Sequence, residues 1–278
     1  MFTIPDFKAA KQAGRRIAML TCYDVSTAAI LEEAGIDAVL VGDSVAMVVH
    51  GQPSTTTATL DMLEAHVRAV RNGAPNLCVV ADMPFLTTRR GLREGVDAAA
   101  TLIRAGANAV KIEGITGHEE LIPALVGGGV PVMGHLGLLP QSVNVLGGYA
   151  KQGKLDSEAE RILGEAVRLE ELGCFAMVLE CIPAKLAGRI QAAVSIPTIG
   201  IGAGPSCDGQ ILVSNDLLGL TAGYVPAFAK RYLNAHDLFR QAFGQYIAEV
   251  RDSSFPPVGG KTAKGEIEQA MEAETKAR

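Results

Sequence analysis

Four times along this chain a helical run ends at a glycine, enters a short apolar stretch and stops on an acid. The copies are Gly35-IDAVLVG-Asp43, Gly73-APNLCVVA-Asp82, Gly106-ANAVKI-Glu113 and Gly173-CFAMVL-Glu180. A glycine just past a helix supplies the left-handed backbone that ends it. A β-branched run without polar alternation reads as a strand covered on both faces. The same reading along the chain predicts strands near 16–21, 37–42, 77–82, 108–113, 130–134, 175–180, 197–201 and 218–222. Helices are predicted near 24–34, 59–72, 92–105, 118–126, 157–172, 183–193, 208–216 and 234–250. Such an alternation matches an α/β chain folded as a (β/α)8 TIM barrel; a doubly wound open sheet would need fewer strands. One barrel domain is expected over 1–252. Beyond Asp252 the chain turns Pro- and Gly-rich and then polar, so 253–278 reads as a mobile tail or an intersubunit arm.

Composition narrows the function classes. Apolar residues are 48% of 278, ample for one sizeable core. Lys plus Arg is 25 against 30 Asp plus Glu, a net charge of −5 with no long basic tract, which speaks against a nucleic-acid partner. No apolar run reaches the length of a membrane span. The opening MFTIPDFKAAKQAGRR mixes acid and base before any apolar stretch, unlike a secretory signal. A cytoplasmic protein without a membrane partner is therefore expected. The cysteines, Cys22, Cys78, Cys174, Cys181 and Cys207, are odd in number and form no C-x-x-C pair. They read as buried thiols in a reducing compartment, not as disulfides or a zinc site.

In a parallel barrel, chemistry collects where the strands end. The predicted ends carry Thr21, Asp43 with Ser44, Asp82, Lys111 with Glu113, His135, Glu180 and the IGIGAG stretch at 199–204. Ionisable groups beside apolar strands cost solvation energy unless paired or metal-bound. Each acid alone could cap the next helix, but caps do not require a lysine and a histidine on the same rim. Asp43, Asp82 and Glu113 end neighbouring strands and offer hard oxygens suited to Mg²⁺. Glu113 could instead bond a ligand water or pair with Lys111 on its own strand face. Zinc fits less well, because only His135 offers a nitrogen and no thiol stands with it.

Lys111 either pairs with an acid or holds an anionic substrate. Flanked by carboxylates it keeps its proton and makes a poor Schiff-base amine. Glu180 ends an apolar strand, which should raise its pKa, as a base that deprotonates carbon requires. It could equally serve as an acid at a helix N-terminus. His135 could donate to a substrate oxygen or be structural. His50 and His66 are assigned no chemistry. The glycines of 199–204 suit a phosphate loop, or a close approach to a flat ligand or a helix. They lack both the P-loop and the dinucleotide patterns.

These blocks carry a resemblance. VLVGDS at 39–44, VVADMPF at 79–85, AVKIEG at 109–114, GHLGLLPQSVN at 134–144, LGGY at 146–149, LECIP at 179–183 and IGIGAGPSCDGQIL at 199–212 stand in one order. From about residue 3 to 250 the chain resembles the ketopantoate hydroxymethyltransferase family. The resemblance implies a barrel of the phosphoenolpyruvate/pyruvate-type superfamily. It also implies transfer of a hydroxymethyl group from methylene-tetrahydrofolate to 3-methyl-2-oxobutanoate, in the synthesis of pantothenate. It places divalent-metal ligands on Asp43 and Asp82, with Glu113 completing the site directly or through water. It places substrate contacts on Asp43, Ser44, Asp82 and Lys111, with His135 close by, and the proton acceptor on Glu180. It further implies a homo-oligomer, usually a decamer.

Two loops depart from the family's pattern. Gly51-QPSTTTAT stands where the family often has G-H-x-S-T, with His50 before the glycine, and Gly147-GYAKQG replaces GGY-K-x-Q-G. A Mg²⁺-dependent carbon–carbon lyase on the same barrel would use the same acids. Such lyases commonly carry a K-K-C-G-H-type loop, which this sequence lacks. A non-catalytic barrel that only binds a ligand would not need Glu180 beside the three acids.

Overall fold

The computed structural model describes residues 1–221, 223 and 225–257. Eight parallel strands close into a barrel in sequence order: β1 (Ile17–Thr21), β2 (Ala38–Val41), β3 (Cys78–Asp82), β4 (Ala109–Glu113), β5 (Val132–Gly137), β6 (Ala176–Glu180), β7 (Thr198–Ile201) and β8 (Gly209–Leu212). The helices among the described residues are α1 (Ile4–Gln12), α2 (Val25–Glu33), α3 (Val45–Val48), α4 (Leu60–Gly73), α5 (Leu92–Ala105), α6 (Leu121–Gly127), α7 (Val143–Leu146), α8 (Asp156–Glu171), α9 (Ala184–Ala193), α10 (Ser214–Leu218) and α11 (Ala235–Arg251). None is long and apolar enough to cross a membrane. The described chain divides into two compact units, one holding 1–217 with 221, 223 and 225–230 and the other 218–220 with 231–257. The first holds the barrel. In the second, α11 exposes Phe239, Phe243 and Tyr246, and Tyr246 meets Phe255 edge-on at 5.5 Å.

Strand periodicity sorts each side chain to one of two layers. Outward positions such as Val39, Val41, Val79 and Val110 pack with Leu63, Val67 and Leu102 of the surrounding helices. Inward positions such as Ala38, Leu40, Cys78, Val80, Ala109, Met133, Ala176 and Val178 fill the barrel. One step of two residues further along the same inward rows stand Asp82, Lys111, His135 and Glu180, with Glu113 next after Lys111. The apolar plug and the polar cluster are thus consecutive layers of one interior.

The N-terminal end is closed by α1, which the sequence reading did not include. Its turn is pinned by the Thr3 N–H donating to Asp6 Oδ2 at 2.7 Å. Phe7 is fully buried in the inner cluster, edge-on to Phe175 at 5.1 Å. All five cysteines are free; four are buried and Cys181 is half-buried.

The predicted eighth strand is corrected. It lies at 209–212, within the stretch read as a helix near 208–216, and residues 219–221 form no strand. Residue 222 and residues 258–278, most of the predicted tail, lie outside the described residues. The spacing of apolar residues in ILVSNDLLGL imitates a helix, whereas barrel closure demands a strand that begins on glycine. Gly209 pairs with Ile17, and a Cβ there would lie 2.5 Å from Ile17 O and 2.7 Å from Ile199 Cδ1. Asp208 fixes the entry, its Oδ2 accepting from the Thr198 N–H at 2.9 Å and pairing with Lys11 at 3.1 Å.

Gly209→Ala should therefore destabilise the fold by about 3 kcal/mol, because backbone has to move at the closing seam. Urea unfolding measures it; a loss under about 0.5 kcal/mol, the range of neutral surface changes, would contradict the closure at Gly209.

Candidate active site

At the carboxyl ends of β2 to β6, six ionisable groups meet. Asp43, Asp82, Lys111 and His135 are each at most 4% exposed, and Glu113 at 6% is nearly as enclosed. Glu180 faces His135 from the end of β6. The helix-capping role open to Asp43 and Ser44 is not taken, since Ser44 makes no capping bond to α3.

Lys111 is the hub. Its Nζ lies 2.8 Å from Asp82 Oδ1, an ion pair outside hydrogen-bond alignment, so that oxygen has no hydrogen-bond partner. Nζ also lies 3.1 Å from His135 Nδ1. An ammonium only donates, so Nδ1 accepts and the ring proton is assigned to Nε2. Nε2 stands 3.2 Å from Glu180 Oε2, again without hydrogen-bond geometry, and has no other partner. Burial works against the lysine's charge, but Asp82, Glu113 and Asp43 together hold its pKa above the ordinary value. Burial and the adjacent ammonium hold His135 neutral, well below the usual imidazole range.

The acids behave as a crowded set. Burial and then Asp82 push Asp43 up to about 7. Burial drives Glu113 well above the usual carboxylate range, against the pull of Lys111. Glu180 is pushed up to about 7 by burial, as its apolar strand implies. Among the described residues no three Asp, Glu, His or Cys side chains are already drawn together as a metal site. Their oxygens are nevertheless of the hard type that Mg²⁺ takes. Asp82 Oδ1, which has no hydrogen-bond partner beyond its ion pair with Lys111, and the excess of carboxylate over ammonium fit a cation, and Asp43, Asp82 and Glu113 could hold it.

Sequence reading missed two residues here. Gln141 sits in a 3-10 turn, Pro140–Ser142, after β5. Its backbone N–H donates to Glu113 Oε2 at 3.0 Å, and its Nε2 donates to Asp43 Oδ2 at 2.8 Å and to Met83 O at 3.0 Å. Buried Tyr23, just after β1, places its hydroxyl 2.8 Å from Ser44 Oγ. Neither has a local signature, because each works across the barrel. His50 and His66 bond one another, Nε2 to Nε2 at 2.9 Å, and His66 Nδ1 donates to Tyr23 O at 2.6 Å. These bonds tie the loop after α3 to α4.

Backbone conformation aims Glu180. Cys181, the next residue, has φ +47°, uncommon for a residue with a side chain. Its N–H donates to Ile201 O at 2.8 Å and its carbonyl accepts from Gln152 N at 2.9 Å. Gly137 has φ +95°, and a Cβ there would lie 2.2 Å from Glu180 O. The glycines of 199–204 also serve close approach. A Cβ on Gly202 would meet the Phe228 ring at 2.7 Å, and one on Gly204 would meet Ala184 Cβ, at the start of α9, at 2.5 Å.

Comparison with known proteins gives the family and the fold. The family model described as ketopantoate hydroxymethyltransferase matches residues 1–258. The 3-methyl-2-oxobutanoate hydroxymethyltransferase of Legionella pneumophila is 49% identical over 254 residues, 91% of this chain and 97% of that one. The enzyme of the same name from Bdellovibrio bacteriovorus is 47% identical over 92% of this chain and 97% of its own. Among solved structures, 2,3-dimethylmalate lyase, of the PEP mutase/isocitrate lyase superfamily, aligns over the whole of both chains with TM-score 0.60 and 17% identity. Phosphonopyruvate hydrolase in complex with oxalate and Mg²⁺ aligns over all of this chain and 98% of its own, with TM-score 0.58 and 15% identity. The two structural likenesses show the barrel alone, whereas the family model covers nearly all the described chain: this chain belongs to the ketopantoate hydroxymethyltransferase family.

Proposed function

We propose that the protein transfers a hydroxymethyl group from methylene-tetrahydrofolate to 3-methyl-2-oxobutanoate, giving ketopantoate, with Glu180 as base. Asp43, Asp82 and Glu113 hold a divalent cation of the Mg²⁺ type. The observation that carries this reading is Glu180 itself: a half-buried carboxyl, pushed up to about 7, 3.2 Å from a neutral histidine and in the same cluster as three acids and an ammonium. A carboxylate of ordinary basicity is far too weak for a ketone's α-proton, so basicity and charge stabilisation must act together. A bound divalent cation supplies positive charge beside the substrate's 2-oxo oxygen and acidifies the neighbouring C–H. Oxalate, found with Mg²⁺ in the structurally similar hydrolase, offers the same pair of adjacent oxygens as a 2-oxo acid.

The side chains divide the work. Lys111 and Ser44 hold the anionic oxygens, and Tyr23 fixes the Ser44 hydroxyl. His135 Nε2–H, without a hydrogen-bond partner of its own, is the donor left for the substrate. Glu180 takes the proton from C3. C3 then bonds to the donor's methylene carbon as one of that carbon's two C–N bonds breaks; water displaces the second nitrogen and supplies the hydroxyl oxygen, and tetrahydrofolate leaves with two protons, one from Glu180 and one from water. The same reading takes the protein as a cytoplasmic homo-oligomer, a decamer as the family resemblance implies.

Proton NMR of 3-methyl-2-oxobutanoate in heavy water, with Mg²⁺ and without folate, tests the base. The C3 proton signal should vanish with the native protein, and Glu180→Gln should slow that exchange about a thousandfold. Near-native exchange in the variant refutes the assignment. A ligand-binding scaffold would give no exchange with either protein and no ketopantoate when folate is added. Asp82→Ala should abolish binding of cation and 2-oxo acid together.

A second test follows from the crowded acids. Asp43, Glu113 and Glu180 have folded pKa values above those of the unfolded chain. Their contribution to stability is complete below the unfolded values and is lost as pH rises through the folded ones. The metal-free protein should lose stability between about pH 5 and 8, and Asp43→Asn should restore on the order of 2 kcal/mol at the upper end. Thermal unfolding across pH reads this; a flat profile, or a destabilised Asp43→Asn at pH 8, contradicts it.

A further inference from the structure

We infer that Gln141 is a positioning residue that sets which cation the three acids accept. It favours a small ion taking one oxygen from each acid over a larger ion taking two. This role rests on the reading that Asp43, Asp82 and Glu113 hold a divalent cation. Each acid has one oxygen already committed. Asp43 Oδ2 accepts from Gln141 Nε2 at 2.8 Å, Glu113 Oε2 accepts from the Gln141 N–H at 3.0 Å, and Asp82 Oδ2 accepts from the Asp43 N–H at 3.0 Å. Oδ1 of Asp43, Oδ1 of Asp82 and Oε1 of Glu113 stand outside these hydrogen bonds, with Asp82 Oδ1 facing Lys111 Nζ at 2.8 Å and Glu113 Oε1 facing His135 Nδ1 at 3.6 Å. One half-buried glutamine thus supplies two of the three restraints.

The restraint is stiff. A primary amide has two hydrogens, and Nε2 of Gln141 donates both to Asp43 and to Met83 O at 3.0 Å. Met83 directly follows Asp82, and its own N–H is bonded to Lys111 O at 2.9 Å, so the amide is tied to the ends of β3 and β4. It cannot follow Asp43 if that carboxylate rotates to offer both oxygens. Rotation would cost Asp43 this bond and leave a donor unpaired. Mg²⁺ takes single carboxylate oxygens and completes its shell with water, whereas Ca²⁺ readily takes carboxylates through both oxygens. The clamp therefore works against the larger ion more than against the smaller.

Gln141→Met removes the amide at similar length and leaves the backbone bond to Glu113. Isothermal titration of Mg²⁺ and of Ca²⁺ into metal-free native and variant protein, without substrate, reads the effect. The ratio of Mg²⁺ to Ca²⁺ affinity should fall about tenfold or more, a difference near 1.4 kcal/mol. Carboxylate infrared bands give a second readout, taken on the native protein and on the variant. The Ca²⁺-loaded native protein should keep the wide band separation of single-oxygen ligation, and Gln141→Met should narrow it. A bidentate pattern in the native protein, or both affinities falling with their ratio unchanged, overturns the role. Native protein that binds neither ion overturns the metal reading and this role together, a result distinct from an unchanged ratio.

Discussion

A single ammonium faces four carboxyl groups in the mouth of this barrel, and most of the local structure answers that imbalance. Lys111 is buried between Asp82 and His135 and holds its proton because the surrounding acids outweigh the cost of burial. The remaining negative charge has no cationic counterpart in the mouth among the described residues. Asp43, Glu113 and Glu180 respond with raised pKa values, the normal outcome when carboxyl groups are taken from water without enough positive charge. Such a cluster is costly for folding, and a cation would relieve that cost. The imbalance is thus the link between a destabilised metal-free mouth and a site able to stabilise charge that develops on a substrate.

The register of the strands makes the cluster possible. Asp82 pairs with Lys111 across β3 and β4, and Glu113 pairs with His135 across β4 and β5. These residues continue inward rows that begin with Cys78, Ala109 and Met133. A one-residue slip would turn every one of them toward the helices. Glycines allow the backbone to come close enough. Gly42 leaves room for Ser44 Oγ, which would lie 2.9 Å from a Cβ, and Gly137 leaves room for the Glu180 carbonyl. The helices and the apolar plug hold these positions against the repulsion that the mouth contains.

Much of this was legible because strand and helix leave periodic traces. The glycine–strand–acid phrase located β2, β3, β4 and β6 together with the acids at or just past their ends. The last strand escaped because Gly209–Leu212 is short and is followed by apolar spacing that imitates a helix. Only the clash that any side chain at Gly209 would have with Ile17 reveals why it must be extended. α1 escaped for a related reason: its anchor, Phe7, makes sense only against Phe175 from the far side of the chain. Gln141 and Tyr23 were invisible as site residues because their partners lie 98 and 21 positions away. An amide or a phenol carries no mark of its function until the fold brings a carboxylate or a hydroxyl to it.

The tautomer of His135 joins the two halves of the site. Since Lys111 can only donate, His135 Nδ1 accepts, and the ring's proton is placed on the side of Glu180. A run of contacts then passes from Asp82 through Lys111 and His135 to Glu180, over four consecutive strands. Were His135 protonated, it would set a second cation against Lys111 in a buried space, which is why its pKa falls so far. A neutral ring keeps Glu180 free of a full ion pair. Glu180 therefore retains the raised basicity that burial confers, where an imidazolium at 3.2 Å would have pulled it down. Lys111 itself also pulls the Glu180 pKa down, so the raised basicity is what burial leaves after that opposing pull.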